Sequence, residues 1–314
     1  MTVLPKKISS LFSCAVNLLF ACAVYSAQAQ TTSIFTDASL TAKTVAAYGD
    51  ANIVAGQSKF AGPVGVFDGA GDYLVVSPSP LDANPKSFTI EAWIYMTALP
   101  ANGWPIVSQS ANGAAGEQQL FVSGSNGGAA NLNKLRFSRG ADATNPIDLV
   151  GTTTLPLNQW VHVALSVDGT TAKLFVNGNL DASVPLTSGW VDTAQSFYVA
   201  TTLNTTAPQN QSFAKGKISD LRITSRSARY KSSFIPYATQ VIDTQQAVDA
   251  SWAETSLLIS NGRNNSNTIL DSSSNNNLVA MGNAKNSSSQ VKYGDTSVYF
   301  DGNEDYLLAD AGEP

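Results

Sequence analysis

The chain has 314 residues, of which 13% are charged, and its formal net charge is −5. That length allows one large domain or two smaller ones. With few charges and an acidic balance there is no basic surface to hold a phosphate backbone, so the composition argues against nucleic acid as a partner. Ser, Thr, Asn and Gly are abundant, and such a composition favours short strands joined by turns over long helices.

The first 29 residues have the pattern of a secretory signal peptide. Lys6 and Lys7 precede the apolar run LFSCAVNLLFACAVY, and the sequence Ala-Gln-Ala at 27–29 supplies the small residues that signal peptidase accepts. We expect cleavage after Ala29 and a secreted product, extracellular or at the cell surface. No stable membrane span is expected afterwards, because the run is short and interrupted by Asn17. Retention of the segment as an N-terminal anchor helix is the alternative.

Both cysteines, Cys14 and Cys22, lie within this segment. The mature chain is therefore predicted to have no disulfide bond and no zinc or iron–sulfur centre held by thiolates. A lipoprotein would need acylation of Cys22, but the bulky Phe20 stands where a small residue is usual. The mature protein must then be stabilised by its core, with a metal ion as the remaining means of reinforcement.

A ten-residue stretch occurs twice in the chain. FDGAGDYLVV at 67–76 returns as FDGNEDYLLA at 300–309, and the offset of 233 residues also relates Lys59 to Lys292. Similarity at a fixed, domain-sized offset predicts a repeated structural unit. The predicted organisation is a signal peptide at 1–29, a complete module at 30–240, a linker at 241–254 and the incomplete start of a second copy at 255–314. That last part has few strands, so we expect it to be loosely ordered or to pair with an edge of the first module.

The clearest strand lies in SFTIEAWIYM, at 87–96, where apolar residues alternate with period two. The predicted core face comprises Phe88, Ile90, Ala92, Ile94 and Met96. The other face, with Thr89, Glu91, Trp93 and Tyr95, is amphipathic and could line a groove.

A meander of antiparallel strands is predicted at 160–184. Alternating apolar residues are followed by turn signals at Asp168-Gly169 and again at Asn177-Gly178. Further strands are expected at 134–138, 196–201 and 217–224. Many short strands separated by turn residues predict an all-β, antiparallel sandwich or barrel.

Four segments together resemble a known family. FDGAGDYLVV, SFTIEAWIYM, NQWVHVALSVDGTTAKLFVNG and KGKISDLRITSRSARY, in that order, are similar to the concanavalin A-like, laminin G-type jelly-roll domain of bacterial and viral secreted proteins. The resemblance covers about residues 31–236 and restarts near Thr255. It implies a jelly-roll β-sandwich that binds a glycan or another extracellular polymer or protein. One jelly roll hosts many functions, so function has to be argued from the site.

The turn at Asp68-Gly69 offers candidate calcium ligands. Carboxylates in a loop suit Ca²⁺, and the resemblance implies that such domains often carry calcium at the sandwich rim. Asp68 and Asp72 are the first candidates, and the distant Asp220 is a third. The alternative is turn chemistry alone, in which Asp accepts backbone hydrogen bonds and Gly supplies a positive φ.

Sugar-binding sites need aromatic faces and polar side chains. Trp104 and Trp190, in loop-like settings, and Tyr95 are candidate platforms for a sugar ring, with Glu91 as a groove-lining acid. The alternative is that these aromatic residues belong to the core.

A glycoside hydrolase would need two carboxyl groups roughly 5–9.5 Å apart. Glu91 has no acidic neighbour on its own strand, and His162, the only histidine, lies in a strand where packing is the expected role. We therefore predict a secreted, non-catalytic recognition module that binds carbohydrate or another extracellular polymer through loops at the sandwich rim, with calcium as the candidate cofactor. The alternative is a structural or adhesive spacer of a multi-module surface protein, and a glycoside hydrolase comes last.

Overall fold

The structure is a computed structural model that describes part of the chain. The described residues are 35, 37–39, 41, 43–54, 57–60, 64–81, 86–109, 117–139, 147–186, 197–202, 211–238, 249–259, 277–281, 284–287 and 297–310. The predicted signal peptide and Trp190 lie outside them. Among the described residues no helix is long and apolar enough to cross a membrane.

The regular structure within the described residues consists of β-strands and two short 3-10 turns, at Ser125–Gly127 and Trp252–Glu254. The strands are β1 (Thr44–Tyr48), β2 (Asn52–Val54), β3 (Val64–Asp68), β4 (Tyr73–Ser77), β5 (Phe88–Met96), β6 (Trp104–Gln109), β7 (Gln118–Val122), β8 (Lys134–Arg139), β9 (Ile147–Thr154), β10 (Trp160–Val167), β11 (Thr171–Val176), β12 (Asn179–Pro185), β13 (Phe197–Val199), β14 (Thr201–Thr202), β15 (Ser212–Phe213), β16 (Lys215–Ser225), β17 (Thr255–Ile259), β18 (Asn277–Met281), β19 (Lys285–Ser287), β20 (Ser297–Tyr299) and β21 (Tyr306–Asp310).

Two antiparallel sheets form a sandwich, which confirms the predicted fold class. The seven-stranded sheet has the order β1-β4-β13-β6-β7-β8-β9. The eight-stranded sheet has the order β12-β11-β10-β5-β16-β3-β2, with β17 beside β16. Side chains that alternate inward from both sheets form one core, in which Val163, Leu165 and Val176 are buried as their spacing predicts.

The outer face of β5 is covered by a segment that sequence periodicity does not reveal. Residues 226–238, which we call the strap, follow β16 and cross the outside of the eight-stranded sheet. The amide of Arg229 donates to Thr89 Oγ1 at 2.9 Å, and the amide of Phe234 donates to the carbonyl of Gly178 at 2.8 Å. Both faces of β5 are therefore mostly buried, although its sequence alternates.

Strand β17 belongs to the eight-stranded sheet. It pairs antiparallel with the second half of β16, and Leu257 lies in the main core. The amide of Leu258 donates to Asp37 Oδ1 at 2.9 Å, which ties the strand to the start of the described chain. A segment that the sequence assigns to the second copy thus completes a sheet of the first module.

The last four strands match the first four at the 233-residue offset. Strand β18 pairs with β21 as β1 pairs with β4, and β19 pairs with β20 as β2 pairs with β3. The registers correspond as well, since Tyr48 faces Tyr73 and Met281 faces Tyr306.

Candidate functional site

A polar trough of about 340 Å³ lies on the outer face of the seven-stranded sheet. Its walls carry a carboxylate, amides, hydroxyls, a guanidinium and one aromatic ring. The side chains that supply these groups are Asn102, Glu117, Gln119, Phe121, Ser123, Asn126, Arg136, Ser138 and Thr202.

Strand periodicity determines which side chains form the floor of the trough. In β7, Leu120 and Val122 are buried in the core, so Gln119 and Phe121 point outward. In β8 the same alternation directs Arg136 outward. The register pairs Gln119 with Ser138 and Phe121 with Arg136, which sets these side chains next to each other across the two strands.

Hydrogen bonds fix the orientation of several of these groups. Gln119 Nε2 donates to Glu117 Oε1, and both side chains are almost fully buried in the trough floor. Arg136 makes a two-pronged ion pair with Asp148, at 2.6 and 2.8 Å, and its guanidinium lies 5.6 Å from the centre of the Phe121 ring. A ligand would therefore meet polar groups that are already positioned, which lowers the entropy cost of binding.

One wall of the trough depends on close backbone approach. A Cβ on Gly124 would lie 2.3 Å from the carbonyl oxygen of Pro100 and 2.4 Å from that of Ala101. Nearby, Ser123 Oγ is buried without a hydrogen-bond partner among the residues that the structure describes. The trough thus contains a hydroxyl whose hydrogen-bonding capacity the described residues leave unused.

Glu91 is not a groove-lining acid, and this expectation is corrected. Its side chain is fully buried beneath the strap. Arg222 donates to Glu91 Oε1 at 2.7 Å through Nε, and Tyr230 donates to Oε2 at 2.7 Å. His162 Nε2 lies 3.2 Å from the same Oε2. Because these partners enclose the carboxylate, it has no open side for a ligand.

The buried network changes the titration of its members. Burial by itself opposes ionisation of Glu91, but the Arg222 guanidinium and the His162 ring outweigh it and hold the pKa of Glu91 well below its usual range. Burial and the neighbouring carboxylate raise the pKa of Tyr230. Arg222 also contacts Asp249 at 3.0 Å, and Asp249 contacts Arg229 of the strap at 2.8 Å. The network therefore fastens the strap to the sheet.

The predicted aromatic platforms lie in different places. Trp104 is fully buried, and its Nε1 donates to the carbonyl of Lys215 at 2.9 Å, so it offers no face to a sugar and that expectation is corrected. Tyr95 is half-buried on the outside of the eight-stranded sheet, with its ring centre 5.5 Å from that of Trp160. Trp190 lies outside the described residues.

Two of the three predicted calcium ligands come together with an unpredicted third. Carboxylate oxygens of Asp50, Asp68 and Asp72 lie within 4.8 Å of one another. Asp220 is not part of this group, because it lies in a bulge of β16 where its carboxylate accepts a hydrogen bond from Ser219 at 2.7 Å. Burial raises the pKa of Asp72 to about 6, although the amides of Asp50 and Asp68 donate to its carboxylate at 2.7 and 2.8 Å.

The trough residues were missed in the sequence although part of the signal is there. The stretches EQQLFV and KLRFSR both alternate, and each sends polar or aromatic residues to one face. Only the pairing of β7 with β8 shows that these two faces are continuous.

The two facing antiparallel sheets and their order define a jelly-roll β-sandwich domain. The chain belongs to the concanavalin A-like lectin/glucanases superfamily, whose laminin G-type family model matches residues 68–229. A comparison with curated protein sequences gives no significant match.

Several solved structures are similar to the chain. One is a protein from Bacteroides ovatus ATCC 8483, provisionally designated a carbohydrate binding protein, with 19% identity, a TM-score of 0.47 and coverage of 62% of this chain. This chain spans 50% of that protein's length. Another is domain 4 of AbnA, a GH43 extracellular arabinanase from Geobacillus stearothermophilus, in complex with arabinotriose, with 18% identity, a TM-score of 0.43 and coverage of 59% of this chain and 86% of that one.

A third similar structure is the CBM40 of Ruminococcus gnavus IT-sialidase bound to α2,3-sialyllactose. Its identity is 17%, its TM-score is 0.38, and the match covers 47% of this chain and 79% of that one. With TM-scores below 0.5 these similarities carry no argument about this chain, so the ligand has to be argued from the trough itself.

Proposed function

We propose that the protein is a non-catalytic carbohydrate-recognition module that binds a glycan in the polar trough. The observation that carries this proposal is the fixed set of amides, hydroxyls and one carboxylate beside the half-exposed ring of Phe121. Sugar hydroxyls are both donors and acceptors and so match such groups, while the C–H face of a pyranose packs on an aromatic ring.

The chemistry of the trough supports binding rather than hydrolysis. Cleavage of a glycosidic bond uses two carboxyl groups on either side of the scissile bond. Among the described residues that line the trough, Glu117 is the one carboxylate, and it is held by Gln119. The proposed role is therefore recognition, which needs preorganised polar groups but no acid–base pair.

A glycan array followed by calorimetric titration of the best ligand tests the trough. We expect Gln119→Ala and Phe121→Ala each to weaken binding by about five- to tenfold, as the loss of a central contact does. Leu180→Ala is the control, because Leu180 is exposed on β12 of the opposite sheet. If both trough variants bind the ligand as strongly as the wild type does, the proposed site is contradicted.

Calcium at the Asp50, Asp68 and Asp72 cluster is the second part of the proposal. Their carboxylate oxygens are close enough to bind one Ca²⁺ ion together, because the bonds from Ca²⁺ to oxygen are roughly 2.3–2.6 Å long. Burial raises the pKa of Asp72, with smaller contributions from the Asp50 side chain and the Asp68 charge, and a bound cation would favour the ionised carboxylate. When bound, the ion would supply a fixed positive charge that stabilises the rim.

The C-terminal copy of the turn provides a matched control for calcium. It keeps Asp301 and Asp305 but has Asn283 at the position of Asp50. We expect Asp50→Asn to abolish the heat of Ca²⁺ binding and Asp301→Asn to leave it unchanged. Wild-type protein that gives no heat with Ca²⁺ would remove the metal from the proposal.

The proposed location is outside the cell, after removal of the signal peptide. The mass and N-terminal sequence of the exported protein test this part, with Gln30 as the expected first residue. A product that still begins at Met1 in the membrane fraction would favour the retained anchor.

A structural spacer is the second candidate function. The observation in its favour is the correspondence of four strands and their registers at the 233-residue offset, which is typical of modules strung in series. A protein that binds no glycan on the array, with or without calcium, would leave this function as the better account.

A further inference from the structure

An aromatic cleft of about 520 Å³ lies on the outer face of the eight-stranded sheet, on the opposite side of the sandwich from the trough. Strands β5 and β10 supply Trp93 and Trp160, and the end of the strap supplies Tyr237. The segment before β3 supplies Lys59 and Phe60.

The rings of the cleft stand at steep angles to each other. The Phe60 and Trp93 rings meet edge to face with centres 5.9 Å apart, and Trp93 meets Tyr237 in the same way at 6.4 Å. Trp160 is half-exposed and continues the surface to Tyr95. Such walls surround a flat, partly apolar ring better than they surround a linear chain, because they contact both its face and its edge.

The floor of the cleft is rigid. Trp93 is buried and packs edge to face on His162, with ring centres 5.3 Å apart. His162 in turn lies in the buried network of Glu91 and Arg222. Trp93 Nε1 has no hydrogen-bond partner among the described residues. The aromatic floor is thus preorganised and retains a polar atom that no described residue satisfies.

The polar groups at the cleft are hydrogen-bond donors and cations. Lys59 Nζ lies 5.0 Å from the centre of the Trp93 ring, and Lys217 Nζ lies 4.9 Å from that of Tyr95. Asn177 Oδ1 accepts the amide hydrogen of His162 at 2.9 Å, which leaves its Nδ2 to donate. The described lining residues include no carboxylate, and Glu91 beneath them is already paired with Arg222.

We propose that this cleft is a second binding site, specific for a sugar ring that carries a carboxylate. The rings bind the apolar face of the pyranose, and Lys59 and Asn177 bind the carboxylate. The site is separate from the trough, which lies on the other sheet and contains Glu117. Its existence does not depend on the function proposed for the trough.

Calorimetric titration of the full chain with matched sugars tests the site. The acidic probes are trigalacturonic acid and sialyllactose, and their neutral controls are methyl-esterified trigalacturonate and lactose. We expect at least one acidic probe to bind at least about tenfold more tightly than its neutral control, and higher salt to weaken that binding. Absence of binding by every acidic probe, or equal binding of every acid and its neutral control, would overturn the proposal.

Variants show whether that binding occurs in the cleft. Trp160→Ala should weaken it by about tenfold or more, as the loss of an aromatic anchor does. Lys59→Gln should weaken it by up to about fivefold and reduce its salt dependence. The matched control is Lys43→Gln, because Lys43 directly precedes β1 of the seven-stranded sheet and is not among the residues that line the cleft.

The proposal for the trough and the proposal for the cleft can be tested independently of each other. Phe121→Ala alters the trough and should leave acidic-sugar binding at the cleft unchanged. Acidic-sugar binding that is lost in Phe121→Ala but kept in Trp160→Ala would place the ligand in the trough and overturn the cleft. Near-ultraviolet circular dichroism of each variant verifies that the fold is retained.

Discussion

At the scale of single residues, burial determines what the acidic side chains do, and Glu91 is the clearest case. Glu91 lies on the outer face of β5, where alternation alone predicts access to solvent, yet it is enclosed by Arg222, His162 and Tyr230. A buried charge is tolerated only when its partners satisfy it. The charged carboxylate that suggested a ligand contact in the sequence therefore binds residues of the protein itself and holds the strap to the sheet.

Removal of the Glu91 charge should destabilise the protein. Glu91→Gln leaves the Arg222 guanidinium buried beside a neutral amide, which costs about 3–5 kcal/mol when a buried pair is broken. The double variant Glu91→Gln/Arg222→Gln should lose less than the sum of the two single variants, because no uncompensated charge remains. Urea unfolding of the four proteins measures this coupling, and additive losses would show that the two side chains do not act as a pair.

The stability of the protein should decrease in acid. The folded-state pKa of Glu91 lies below its ordinary value of 4.5, so below about pH 4.5 the unfolded chain binds more protons than the folded one. The stabilising contribution is present above that pH and is lost as the pH falls towards the folded-state pKa. Burial by itself raises the pKa of Asp249, but its hydrogen bonds with Arg229 outweigh that effect and lower the pKa. Asp249 therefore acts in the same direction as Glu91. Urea unfolding between pH 3 and pH 7 should show a shallower decline in Glu91→Gln than in the wild type.

At the scale of elements, the turn between β3 and β4 is built by its aspartates. Asp72 accepts the amides of Asp50 and Asp68, and Asp68 accepts the amide of Ala70 at 2.6 Å. Gly69 has a φ of +86°, which a side chain would disfavour. In the C-terminal copy Asp305 accepts the amide of Asp301 at 2.7 Å. The recurrence of FDG and DY is therefore explained by the backbone bonds of the turn, whether or not a metal binds.

The two turns should differ in how much stability they contribute. Asp72→Ala removes the acceptor of two backbone amides in a buried setting and should cost about 1–3 kcal/mol. Asp305→Ala, in a half-exposed setting, should change the stability of the sandwich by about 0.5 kcal/mol or less. Thermal unfolding of both variants provides the comparison. A larger loss in Asp305→Ala would show that the C-terminal strands support the sandwich.

At the scale of the whole molecule, a strand from beyond the predicted boundary at residue 240 pairs with a sheet of the first module. Leu257 and Ile259 of β17 are buried in the common core, and Trp252 packs with Leu258 in a small cluster at its side. Asp249 holds both Arg222 and Arg229, so the strap and β17 stabilise the same edge of the sheet. The folding unit should therefore extend past residue 240 to include β17.

Truncation tests this boundary. A fragment of residues 30–240 lacks β17 and exposes core side chains that each contribute about 1.5–3 kcal/mol when buried. We expect it to aggregate or to unfold at a much lower temperature than a fragment of residues 30–262. Leu257→Ser in the full chain should reproduce the defect, and Ser256→Ala, which changes the half-buried neighbour, should not. Equal thermal stability of the two fragments would show that the folding unit ends at residue 240, as the sequence predicts.

The sequence by itself determined the fold class, the positions of the central strands and the turn chemistry, because these depend on local periodicity and on single residues such as Gly69. Inward residues such as Val163 and Leu165 are buried as their alternation requires.

Only the tertiary structure decided which outward residues remain accessible. The strap covers Glu91, the core takes up Trp104, and the pairing of β7 with β8 joins Gln119 to Ser138. These facts depend on contacts between segments far apart in the chain, and a local pattern carries no information about which distant segment covers a given face. The fold and the Asp68 and Asp72 pair of the turn were therefore predictable from the sequence, whereas the trough and the cleft were not, because a site formed by distant segments depends on what the rest of the chain leaves exposed.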